Sequence, residues 1–107
     1  MNDKESVFYK VISIVVDCCA TNIDGVKNIS IEDVLGKNRL ENVVLTRQIV
    51  VMQLLAFGYT KTTMSQILHC TQANVRKLLS DGYSNLAENK SFRLAYSEAT
   101  IKCKEIV

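Results

Sequence analysis

The stretch that decides the fold reads MSQILHCTQANV and runs from Met64 to Val75. An apolar residue is followed by the small Ser65 and by further apolar residues before a polar turn. Thr71 then offers a side-chain oxygen that can cap a second helix. Two short helices joined by a few residues form a helix-turn-helix. The spacing therefore predicts this motif, with His69 at the turn position where glycine is favoured.

Further helices are predicted on both sides of the motif, each from an apolar period or a cap. Residues 42–57 are apolar around most of the circumference, which is typical of a central buried helix that stops at Gly58. Ser30 can cap a short helix that ends at Gly36, where a left-handed residue is usual. Gly82 is a weak point of the predicted recognition helix. The predicted helices span residues 4–20, 31–35, 42–57, 61–68, 72 to about 86, and 91–106, with a loop at 21–28.

The composition agrees with a single helical domain over residues 1–107. The chain has no proline and four glycines, so few residues break helices. It is 48% apolar and 22% charged, which is ordinary for a globular protein. The β-branched run at residues 11–16 could form a strand, but no comparable second strand exists to pair with it. We predict an all-α fold of five to six helices, with a central buried helix and a helix-turn-helix.

The four cysteines indicate compartment rather than chemistry. They lie at positions 18, 19, 70 and 103, and none forms a C-x-x-C pair. His69 and Cys70 could join Cys18 or Cys19 around zinc, but the spacing is unlike that of zinc sites. We expect buried free thiols, no metal, no cofactor and a cytoplasmic protein. The apolar run near residue 11 is too short for a signal peptide or a membrane span.

The net charge of +2 is unevenly distributed along the chain. Residues 36–79 carry six lysines and arginines against one acidic residue, whereas residues 1–35 carry three against six. Residues 80–107 are balanced, with four of each. A basic segment that coincides with a helix-turn-helix is the electrostatic footprint of a DNA-binding protein. A solvated face with chance asymmetry is the other interpretation.

The second helix of the motif presents side chains that suit DNA. If Val75 faces the core, polar side chains face outward. Glutamine and asparagine can each make two hydrogen bonds to adenine, and arginine or lysine can reach guanine or a phosphate. The predicted contacts on this helix are Gln72, Asn74, Arg76 and Lys77. A helical hairpin that merely packs is the alternative.

A second stretch carries a family resemblance. The pattern D-V-L-x-K-x-R at residues 33–39, followed by R-Q at 47–48, resembles the C-terminal DNA-binding domain of the bacterial replication initiator DnaA, a Trp-repressor-like helix-turn-helix domain. The resemblance covers about residues 29–80. It implies that Arg39 enters the minor groove, that Arg47 holds a backbone phosphate, and that Lys37 and Gln48 lie near the DNA.

The chain also departs from that family. The family's recognition helix opens with R-D-H-T-T-V, whereas residues 70–75 here read CTQANV, so only the valine is shared. The base-reading side chains therefore differ. No G-x-x-x-x-G-K-[ST] phosphate loop occurs in the chain, so we expect no ATPase.

Three hypotheses follow. The first is a stand-alone, sequence-specific reader of double-stranded DNA related to the bacterial initiator's domain, with a role in replication or its regulation. It leaves open an ATPase or replication partner in trans. The second is a helix-turn-helix transcription regulator, for which a dimer is expected, whereas the initiator's domain binds as a monomer. The third is a protein-interaction module that has lost DNA binding. We expect no enzymatic activity, since the chain has one histidine and no evident nucleophile–base pair.

Overall fold

A computed structural model describes residues 3–23, 29–36 and 40–106 of the chain. These ranges form six α-helices and no strand, so the predicted all-α class is confirmed. The helices are α1 (Asp3–Asn22), α2 (Ile31–Leu35), α3 (Glu41–Ala56), α4 (Lys61–Ile67), α5 (Gln72–Glu88) and α6 (Lys90–Lys104).

The predicted central helix is α3, which contacts each of the other five helices. Its residues from Gln48 to Leu54 are all buried, which explains why apolar positions cover most of its circumference. The first and last helices, α1 and α6, pack against each other and against α3. The pair α4–α5 forms the predicted helix-turn-helix on another side of α3.

Local caps fix where the short helices begin and end. The Ser30 hydroxyl accepts from the Asp33 amide at 3.1 Å, and the Asp33 carboxylate accepts from the Ser30 amide at 3.0 Å, so α2 opens with a capping box. Gly36 is extended at φ −89°, so the prediction of a left-handed residue there was wrong; its amide instead donates to Glu32. Gly58 has φ +95° and ends α3 as predicted.

Gly82 is not the weak point that the sequence suggested, because α5 runs through it without a break. A Cβ atom at this position would lie 2.7 Å from the Met52 sulfur and 3.4 Å from the Gln48 Cβ on α3. Real Cβ atoms do not approach a heavy atom as closely as 2.7 Å. The glycine therefore lets α5 and α3 come close together.

The link between α1 and α6 includes polar contacts that the sequence did not predict. Residues 21 and 22 were assigned to a loop but belong to α1, while residues 24–28 lie outside the described ranges. The Asn22 amide donates to the Glu98 carboxylate at 2.9 Å, and Lys102 pairs with the same carboxylate at 3.0 Å. The bond from Asn22 ties the end of α1 to α6, while the pair with Lys102 lies within α6 and holds the Glu98 carboxylate in place.

The prediction of free cysteines packed in the core holds for three of the four. Cys18, Cys19 and Cys103 are buried free thiols, and Cys70 is half-buried. Burial raises the pKa of Cys18 to about 11 and that of Cys19 to about 12, so both stay protonated at neutral pH.

Candidate nucleic-acid interface

The turn between α4 and α5 is built by one threonine at the start of each helix and one histidine between them. The Thr60 and Thr71 hydroxyls cap α4 and α5, each accepting from a backbone amide three residues later at 3.1 Å. His69 has φ +54°, in the left-handed region that favours glycine. The Cys70 amide donates to the Ser65 carbonyl at 3.0 Å, which closes a Schellman turn at the end of α4. The sequence assigned this turn position to His69 correctly.

The first turns of α5 divide as the helical period predicts. Val75 is fully buried and Leu79 is 5% exposed, so these two anchor the helix to the core. All four side chains predicted to contact DNA from this helix are exposed: Gln72, Asn74, Arg76 and Lys77. We call these four residues the α5 face. One of them, Gln72, donates from its amide to the Thr62 hydroxyl of α4 at 3.1 Å. Thr62 was missed by the sequence reasoning, because no sequence signal ties the two helices there.

Arg47 lies on α3 and reaches the end of α2. Its Nε donates to the Val34 carbonyl at 2.9 Å, and its Nη2 donates to the carbonyls of Asp33 at 3.1 Å and Gly36 at 3.0 Å. The last carbonyls of a helix lack intrahelical partners, and a cation there also suits the helix dipole. Burial lowers the pKa of Arg47 from its ordinary value. Arg47 therefore caps the C-terminal end of α2. No local signal in the sequence predicts this contact, because Arg47 lies on a different helix.

Gln48 does not face solvent. It is 4% exposed, and its side-chain oxygen accepts from the Asn85 amide at 2.7 Å, which joins α3 to α5. The position next to Arg47 in the sequence therefore turns into the core, because neighbouring helix residues point about 100° apart. The expectation that Gln48 lies at the DNA was therefore wrong, because its side chain is buried between α3 and α5. The other two predicted contacts, Lys37 and Arg39, lie outside the described residues.

A cleft of about 660 Å³ separates the α2–α3 corner from the helix-turn-helix. Arg47 lies on one side of it, and Asn74 and Lys77 of the α5 face lie on the other. Asp81 also lines the cleft, one turn beyond Lys77. The structure thus brings three of the predicted contacts around one concave surface, while Gln72 and Arg76 do not line it.

The described residues give no group of three or more histidine, cysteine or acidic side chains placed to hold a metal ion. In the same ranges, no helix has the length and apolarity needed to cross a bilayer. Comparisons with protein-family models, with curated proteins and with solved structures found no match to this chain.

Proposed function

We propose that this chain binds double-stranded DNA through the α5 face, with α5 as the recognition helix of the α4–α5 motif. The observation that carries the proposal is the exposure of all four polar side chains at the start of α5, beside fully buried Val75. A helix-turn-helix places the first turns of its second helix against base edges in the major groove. The side chains available there include two amides and two cations, which are the types that read adenine, guanine and phosphate.

The individual residues have separable roles under this proposal. Gln72 and Asn74 read bases, and each well-placed contact is worth about 1–3 kcal/mol of discrimination. Arg76 reads a guanine, and Lys77, beside the cleft, holds a backbone phosphate. Arg47 supports the interface by fixing α2 and Gly36, which precede residues 37–39.

The biological role that we propose is in replication or its regulation, and it rests on the resemblance of residues 33–48 to the bacterial initiator's DNA-binding domain. The chain would act as a reader without its own ATPase. A transcription regulator is the other role compatible with the same interface.

Selection of bound duplexes from a random pool, at one stated salt concentration, tests the proposal. We expect a defined motif to be enriched by the unaltered chain. Gln72→Ala and Asn74→Ala should each relax the motif at particular positions without abolishing binding. Ser84→Ala, an exposed substitution further along α5, is the matched control and should enrich the unaltered motif. Failure to enrich any duplex would sink the proposal and favour a protein-interaction module.

A further inference from the structure

One face of α6 is not used by the core. The buried residues of this helix, Phe92, Ala95, Ala99 and Cys103, pack inward. At 3.6 residues per turn, five other residues fall within an arc about 80° wide on the opposite side. All five are exposed, and we call them the outer stripe: Lys90, Leu94, Ser97, Ile101 and Glu105.

The outer stripe contains two large apolar side chains in open solvent. Leu94 is 50% exposed and Ile101 is 63% exposed. They are seven residues apart, so they lie about 10 Å apart along one side of the helix. The small Ser97 lies between them, where a second helix could approach closely. This arrangement is typical of the seam along which two helices pack.

The outer stripe is complementary to itself when it is reversed. If a second copy of α6 lies antiparallel across it, Leu94 of one copy faces Ile101 of the other. In the same register Lys90 faces Glu105 of the other copy, and the two-fold axis passes beside Ser97. A two-fold interface requires this kind of self-complementary patch. In one and the same register, the apolar residues of the outer stripe face apolar residues and its charged residues face opposite charges, so the stripe is self-complementary.

The two end charges are poorly explained within one chain. Lys90 is the first residue of α6, where the helix dipole disfavours a cation. Glu105 is the C-cap residue of the same helix, where the dipole disfavours an anion. Among the described residues the ion pair present is Glu98–Lys102, which includes neither of them. A second copy in the antiparallel register supplies an opposite charge to each.

We infer that two copies of the chain associate through the outer stripe, with α6 antiparallel to α6 about a two-fold axis near Ser97. One helix pair buries less than the roughly 800 Å² per partner of a typical stable interface, so the dimer is weak, with a Kd in the micromolar range. The interface uses no residue of the α5 face, so it stands or falls separately from DNA binding. If both hold, each dimer carries two α5 faces.

Sedimentation equilibrium without DNA, at low ionic strength, tests the inference with charge exchange. Lys90→Glu and Glu105→Lys each place like charges opposite one another in a homodimer, and we expect each to raise the dimer Kd on the order of tenfold. An equimolar mixture of the two variants restores both opposite-charge pairs in the heterodimer. The mixture, and the double variant Lys90→Glu/Glu105→Lys, should therefore return to the original Kd. Lys10→Glu, the same charge change at an exposed site on α1, is the matched control and should leave the Kd unchanged.

A second substitution tests the apolar part of the seam. Ile101→Asp should make the chain monomeric while its helical circular dichroism stays unchanged, because the side chain is exposed in a single copy. A chain that stays monomeric at several hundred micromolar would overturn the inference. A dimer that tolerates Ile101→Asp, or single charge variants that do not rescue each other when mixed, would overturn it equally.

Discussion

Arg47→Ala should destabilise the fold, because Arg47 holds the C-terminal end of α2 with three charge-assisted hydrogen bonds. The bonds to Val34 and Asp33 are partly buried, and the bond to Gly36 is exposed. Hydrogen bonds to charged groups contribute about 1.5–3 kcal/mol each, and water can replace the exposed one. Counting the two partly buried bonds at the low end gives a loss of about 3 kcal/mol in the free energy of unfolding.

Urea denaturation followed by circular dichroism measures this loss, with the slope of the transition compared between variants. Arg47→Lys is the informative companion. A lysine at this position keeps the charge but cannot reach three carbonyls in a fork, so it should recover less than half of the loss. A phosphate contact, in contrast, tolerates lysine as a point charge. If both variants cost less than about 0.5 kcal/mol, the capping role derived for Arg47 is refuted.

Three further expectations concern packing, backbone strain and pH. Gly82→Leu should lower the free energy of unfolding by about 3 kcal/mol, since even a Cβ atom at that position would lie 2.7 Å from the Met52 sulfur. The control is Ser80→Leu at an exposed position of the same helix, which should change the free energy of unfolding by less than about 0.5 kcal/mol. His69→Gly should raise the free energy of unfolding by about 1 kcal/mol in the same urea titration, because a backbone at φ +54° is strained for a residue with a Cβ but not for glycine. A decrease in the free energy of unfolding would contradict the turn geometry. The hydrogen bond from Asn22 and the pairing with Lys102 lower the pKa of Glu98 below its ordinary value of 4.5. The ionised Glu98 carboxylate therefore contributes to the free energy of unfolding at neutral pH. This contribution is lost as the pH falls through the lowered pKa of the folded state. Glu98→Gln should therefore lower the melting temperature at pH 7 but not at pH 2, and an equal change at both would exclude this linkage.

Most of the fold was predictable from local signals. Caps at Ser30, Thr60 and Thr71 mark helix starts by chemistry that acts within three residues. In residues 42–57 the apolar positions cover most of the helix circumference, and this alone suffices to identify α3 as the central helix. Gly36 and Gly82 were misjudged because their roles depend on other parts of the structure. Gly36 follows a helix end that Arg47 closes from α3, and Gly82 lies against Met52 across a helix interface.

The candidate site was predictable to a lesser extent. Exposure of the α5 face follows from the position of Val75 in the helical period, so one anchor residue was enough. The assignment of Arg47 and Gln48 came from a resemblance in sequence, which carries no information about which carbonyl or amide lies within reach. The structure gives Arg47 three backbone partners and gives Gln48 a buried bond to Asn85. Contacts between distant elements decide both cases.

The central claim is that the cations of the α5 face contact DNA, and a salt titration of duplex binding tests it most directly. Fluorescence anisotropy would give the association constant for a labelled random duplex at several salt concentrations. The Arg76→Ala/Lys77→Ala variant should bind more weakly, with the magnitude of the slope of log K against log salt reduced by about 1, since Lys77 is the phosphate contact of the pair. Lys10→Ala/Lys104→Ala removes the same charge from exposed sites on α1 and α6 and should keep the original slope. No binding at micromolar protein in low salt, or equal slopes for the two variants, would contradict the claim.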